Sequence, residues 1–137
     1  MNRDDLQAIA RVRLREAKAL LKAGLPDGAY YLAGYAVECA LKACIAKRTK
    51  RYDFPDKALA QASYTHNLRD LVTLAKLEAG LKARVDLEPQ FRNNWDVVQR
   101  WSEQSRYVRY SADRAGALIE AVGNRKHGVM AWLRLHW

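Results

Sequence analysis

The chain has 137 residues, half of them apolar and 28% charged, with seven glycines and three prolines. That excludes disorder, collagen-like repeats and low complexity, and the length suits one domain, residues 1–137, with a core of its own. The 24 Lys+Arg exceed the 15 Asp+Glu by nine, which favours acidic ligands: nucleic acid, nucleotide, an acidic protein or an anionic membrane surface.

The charge is uneven. Residues 1–51 hold 11 basic and 5 acidic groups, residues 52–105 hold 7 and 8, and residues 106–137 hold 6 and 2. The basic ends form one surface if the first and last helices pack together; the alternative is a dispersed, solvated charge. The N-terminus lacks the apolar core of a signal peptide. Glu38 and Lys42 interrupt the most apolar run, 29–46, so a buried helix is expected there, with no membrane span and a cytoplasmic location.

In chain order, the first helix spans 4–23, with Leu6, Ile9, Ala10, Ala17, Leu20 and Leu21 at helical spacing. Gly24 stops it, and Leu25-Pro26-Asp27-Gly28 is turn chemistry. The second helix, 27–47, is apolar nearly all round. It needs cover on most sides, from other helices and from a second subunit. Cys39 and Cys44 fall about 140° apart on it, and read as buried small apolar residues in a reducing compartment. Residues 52–64 are expected as a loop with a short turn of helix. A third helix covers 66–76 with Thr65 as N-cap, and a fourth covers 89–103 with Trp95, Val98 and Trp101 facing inward. The last helix starts after Ser111 and runs close to the C-terminus, with Gly123 and Gly128 permitting close packing or marking a bend. No strand pattern or internal repeat is present. The expected fold is an all-α antiparallel up-and-down bundle of four to five helices.

Four features carry candidate chemistry. Arg106-Tyr107-Val108-Arg109-Tyr110 precedes the last helix. A helix N-terminus attracts phosphate, arginines fork onto its oxygens, and tyrosines stack on bases. Asp113 opposes an anion there, and the plainer alternative is core tyrosines with ion-paired arginines. Lys47, Arg48, Lys50 and Arg51 either complement the second helix's C-terminus or contact phosphate independently of sequence. The three histidines, His66, His127 and His136, lack the spacing of metal ligands, so neither metal nor cofactor is expected. His66, with Glu38 and Lys42, is a further polar site, and His127 is expected on the exposed side of the last helix. The aromatic residues, among them Tyr30, Tyr31 and Tyr35, suit a core or a dimer interface.

One string is the most specific: Asp27-Gly28-Ala29-Tyr30-Tyr31-Leu32-Ala33-Gly34-Tyr35-Ala36-Val37-Glu38-Cys39-Ala40-Leu41-Lys42-Ala43. With Ala17, Leu20-Leu21-Lys22-Ala23-Gly24, His66-Asn67-Leu68 and the Arg-Tyr element, it resembles the HEPN family of small helical domains. The resemblance covers most of the chain. It implies a dimerising bundle that binds nucleotides, pairs with a minimal nucleotidyltransferase in a toxin–antitoxin-like system, or acts as a metal-independent ribonuclease. The ribonuclease branch carries an Arg, four to six residues, then a His. At that offset His127 has Glu120, Ala121 and Val122; His66 has Leu59, Ala60 and Gln61; His136 has Val129, Met130 and Ala131. The expectation is therefore a non-catalytic homodimer that binds nucleotide or RNA phosphate through Arg106, Tyr107, Arg109 and Tyr110. The alternatives are a divergent ribonuclease using Arg106 or Arg109 with Tyr110 or His66, and a dimeric protein-interaction module.

Overall fold

A computed structural model of the chain describes residues 1–49 and 56–137. Helix α1, Arg3–Lys22, starts at a capping box. The Asn2 side chain accepts the Asp5 N–H at 2.9 Å, and the Asp5 carboxylate accepts the Asn2 N–H at 3.1 Å. Gly24, at φ 80, turns the chain. Pro26 then opens α2, Pro26–Arg48. Thirteen of the 23 residues of α2 are buried, on all sides of the helix, so it is the axis of the bundle. Ala29, Ala33, Ala36 and Ala40 meet no water, nor do Ala10 and Ala17 of α1. Side chains this small let helices approach closely.

Five further helices follow: α3 (Lys57–Ala62), α4 (Leu68–Leu74), α5 (Glu78–Leu87), α6 (Pro89–Val98) and α7 (Ala112–Gly123); of these α4 and α7 pack on the axis, while α6 packs on α7 and α5 on α6. A 3-10 turn, Glu103–Tyr107, precedes α7, and α8, Val129–Leu133, ends the fold. A Cβ built on Gly116 would lie 3.7 Å from Leu21, and one on Gly123 would lie 3.6 Å from Leu14. Helix α7 therefore runs antiparallel to α1. Among the described residues there is no strand, and no helix is long and apolar enough to cross a membrane.

The all-α bundle matches the expectation, but the chain is cut into more helices than expected. The Asn67 side chain caps α4 by accepting the Asp70 N–H at 3.1 Å, while the Thr65 hydroxyl accepts the Asn67 N–H. Thr65 is thus not the N-cap itself but supports it from two residues earlier. Helix α5 is additional; it buries no residue fully, and Leu81 and Val85 only lean on the core, so its apolar signal is weak. Helix α6 ends at Val98, short of the expected 103. The last helix breaks, and the two glycines divide the expected roles. Gly123 packs on α1, whereas Gly128 caps α8, where a Cβ would run into the Asn124 backbone. His127 lies in the break and not on an exposed helix face. Its Nδ1 stands 3.5 Å from Glu88 Oε1, and its side chain is only 30% exposed.

Gly34 faces the Trp101 ring so closely that a Cβ would overlap the indole. Helix propensity alone makes Gly→Ala worth about 1 kcal/mol of stabilisation. Here overpacking reverses the sign, so Gly34→Ala should destabilise the fold by about 1–3 kcal/mol in urea unfolding. An unchanged midpoint would mean that Trp101 does not seat on α2. Cys39 and Cys44 are free and buried, as expected. Burial pushes their thiols up to about 11 and about 12. Neither should react with a thiol reagent at pH 8 until denaturant opens the core; prompt labelling of the folded protein would show that one is accessible.

Candidate phosphate-binding site

Asp27, in the first turn of α2, organises the segment before α7. Its Oδ1 accepts the Tyr110 N–H at 2.6 Å, and its Oδ2 stands 3.6 Å from Arg109 Nε. The Tyr110 ring lies flat on Tyr30, with centroids 3.7 Å apart and planes at 12°. The Arg114 guanidinium sits 5.3 Å from the Tyr110 ring and 5.9 Å from that of Tyr30. A backbone hydrogen bond, a ring stack and a cation over the rings thus hold the segment on the N-terminal end of α2. Burial, then the neighbouring Tyr110, raises the Tyr30 pKa, so this phenol keeps its proton.

What the anchor leaves in solvent is the part able to bind. The Arg109 side chain is 96% exposed and Tyr107 is 72% exposed. Arg106 is exposed too, with its guanidinium 5.0 Å over the Tyr107 ring. Ser111 caps α7 by accepting the Arg114 N–H at 3.1 Å, so one end N–H is already used, and Asp113 places a carboxylate in the same turn. Of the four residues expected here, Arg106, Tyr107 and Arg109 face solvent, and Tyr110 is committed to Tyr30. The sequence did not assign Asp27 or Arg114 to this segment, and gave Tyr30 only as a core or interface aromatic, which its burial matches. Asp27 was legible only as turn chemistry, and nothing in the spacing pairs positions 83 residues apart.

The other basic cluster lies elsewhere. Lys47 and Arg48 occupy the last turn of α2, about 25 Å along the helix from Tyr30. Lys50 and Arg51 lie outside the described residues.

His66, Glu38 and Lys42 do come together. Glu38 is 2% exposed at the middle of α2. Lys42 Nζ, one turn on, donates to Glu38 Oε2 at 3.3 Å. His66, from the segment before α4, places Nδ1 3.0 Å from Glu38 Oε1. Its Nε2 is 3.3 Å from Oε2 of Glu103, a partner on the 3-10 turn that the sequence did not suggest. The two carboxylates stand at opposite ring nitrogens, so they do not converge on one point as metal ligands would. Beside the ring, Arg69, Arg100, Trp101 and Ser102 line a cleft of about 290 Å³. The 3-10 turn links the two regions: Glu103 reaches His66, and Arg106, three residues on, joins the exposed group.

These features define an all-α bundle whose axial helix carries a buried, paired carboxylate and whose last long helix begins at an Arg-Tyr element. A family model described as "HEPN domain" matches residues 4–125, and the chain belongs to the HEPN family. No curated protein and no solved structure matches it.

Glu38 has little water to fall back on. Glu38→Gln keeps the shape but faces Lys42 and His66 with an uncharged amide. It should cost about 1–3 kcal/mol in urea unfolding, because both partners are partly exposed and rehydrate. Wild-type stability would mean that the buried charge pair contributes nothing net.

Proposed function

We propose that this HEPN protein binds the phosphate of a nucleotide or RNA through Arg106 and Arg109, without catalysing a reaction on it. The observation that carries the reading is the contrast within one short segment. Tyr110 and Asp27 fix the backbone, while both guanidinia and the Tyr107 ring stay in solvent. A fixed backbone lowers the ordering cost of binding. Arginine suits phosphate because its donors match two oxygens at once, and Tyr107 adds a face for a base. The absence of catalysis is inferred from the missing Arg-to-His spacing and from His66, whose two ring nitrogens already face carboxylates.

The second reading, a divergent metal-independent ribonuclease, draws on the turn that carries both the Glu103 partner of His66 and Arg106. A homodimer and a minimal nucleotidyltransferase partner in a toxin–antitoxin-like pair, in the cytoplasm, belong to the same proposal. Their support is family membership, together with the half-buried Tyr31, Leu32 and Tyr35 that α2 offers to a second copy.

Titration with uridine monophosphate and with labelled single-stranded RNA tests the site. Arg106→Ala/Arg109→Ala should weaken mononucleotide binding by about tenfold or more, and the RNA should stay intact throughout. Equal binding by the variant would remove the site. RNA cleavage that disappears in His66→Ala would establish the ribonuclease instead.

A further inference from the structure

The geometry points to a second binding surface: the groove between α1 and α8 takes the phosphate backbone of a single-stranded nucleic acid. Arg11, Arg15 and Lys18 form one stripe of α1, and Arg134 faces them at the end of α8. Buried Leu14 and Met130 form the floor of a cleft of about 400 Å³. The first and last helices thus gather charge from both basic ends of the sequence. All four cations are exposed. Among the described residues, none has a carboxylate within ion-pair distance or a side-chain hydrogen bond, although α1 itself pairs Arg13 with Glu16 at 2.6 Å. Like charges gathered without counter-charges repel one another, and a bound polyanion relieves that repulsion.

Two details show that the cations are positioned and not merely dispersed. Arg11 lies 4.7 Å and Arg134 6.0 Å from the Trp137 ring, so one indole orients a guanidinium from each wall. The Lys18 ammonium lies over Gly123, where a Cβ would come within 3.8 Å of Nζ, at the C-terminal end of α7. The negative end of that helix favours the cation there.

The shape selects the ligand. A row of cations at i, i+4 and i+7 along a helix, with one opposite, tracks a line of successive charges and not a single anion. The surface is concave, which suits a strand and not the plane of a membrane. Met130, Arg134 and Trp137 lie beyond residues 4–125, so family membership does not account for the groove. The inference goes beyond the proposed function: it shares only the phosphate chemistry, and different residues test it.

The test compares a labelled oligouridylate with uridine monophosphate across a salt series. Arg15→Glu/Arg134→Glu should weaken oligouridylate binding by about tenfold or more and lower the salt slope by about two, with mononucleotide binding unchanged. Lys57→Glu/Lys82→Glu, the same charge change on α3 and α5, should keep wild-type affinity for the strand. All four residues are exposed, so circular dichroism should report an intact fold for both variants. Three results would each overturn the inference: wild-type strand affinity in the groove variant, equal loss in the control variant, or displacement of the strand by polyglutamate or by phosphatidylserine vesicles as effectively as by unlabelled oligouridylate. Loss of mononucleotide binding in Arg106→Ala/Arg109→Ala concerns the other site alone.

Discussion

A helix of 23 residues that is apolar on nearly every side cannot stand in water. It must be enclosed, and a chain of this length has few helices with which to do it. The enclosure of α2 explains most of the architecture. Helix α1 folds back along it through facing alanines, α7 returns across both, and α4, the 3-10 turn and α8 cover what remains. The buried charged residue of α2 is Glu38, which holds Lys42 and His66, and through His66 reaches Glu103. The carboxylate ties the segment before α4 and, through His66, the 3-10 turn to the axis, so this costly buried charge is also a positional reference for two irregular segments.

The same enclosure sorts the charge. With most of the axis enclosed, the cations of α1, the Arg-Tyr segment and α8 stand at the periphery, and few carboxylates neutralise them there. Acidic side chains serve mainly as structural partners. Asp5 closes a helix cap, Asp27 holds the Tyr110 backbone, and Glu38 and Glu103 hold His66. The net excess of nine positive charges thus becomes an excess of free donors on the surface, which is the property a phosphate ligand reads.

Periodicity made α1, α2 and α7 legible because each presents a long apolar pattern. It failed at α5, where no residue is fully buried and the pattern has little to record. The break before α8 was foreshadowed by Gly123 and Gly128, but composition alone did not say which glycine packs and which turns. The candidate sites divide similarly. Glu38 and Lys42 were readable as a pair one turn apart, and His66 as their companion. Glu103 and Asp27 were not, since both act across long stretches of chain on partners that only the tertiary fold brings near. The basic cluster after α2 was prominent in the sequence, yet the fold sets Lys47 and Arg48 far from the Arg-Tyr segment. The sequence placed that cluster at the C-terminal end of α2, where Lys47 and Arg48 are found, but not its distance from a segment that docks at the other end.

Helix α8 has five residues, too few to hold a helical conformation by its own hydrogen bonds. It persists because Trp132 and Leu133 are seated in the core and the Leu133 carbonyl lies 3.8 Å from the Cys44 sulfur. Its hold is tertiary: Val129, Met130, Trp132 and Leu133 are all buried, so the segment keeps its place only while the core around it is intact. Arg134 rides on it, opposite a helix stapled to the axis along its length. The two walls of the groove thus differ in what holds them: one by its own hydrogen bonds and its length along the axis, the other by the seating of four side chains.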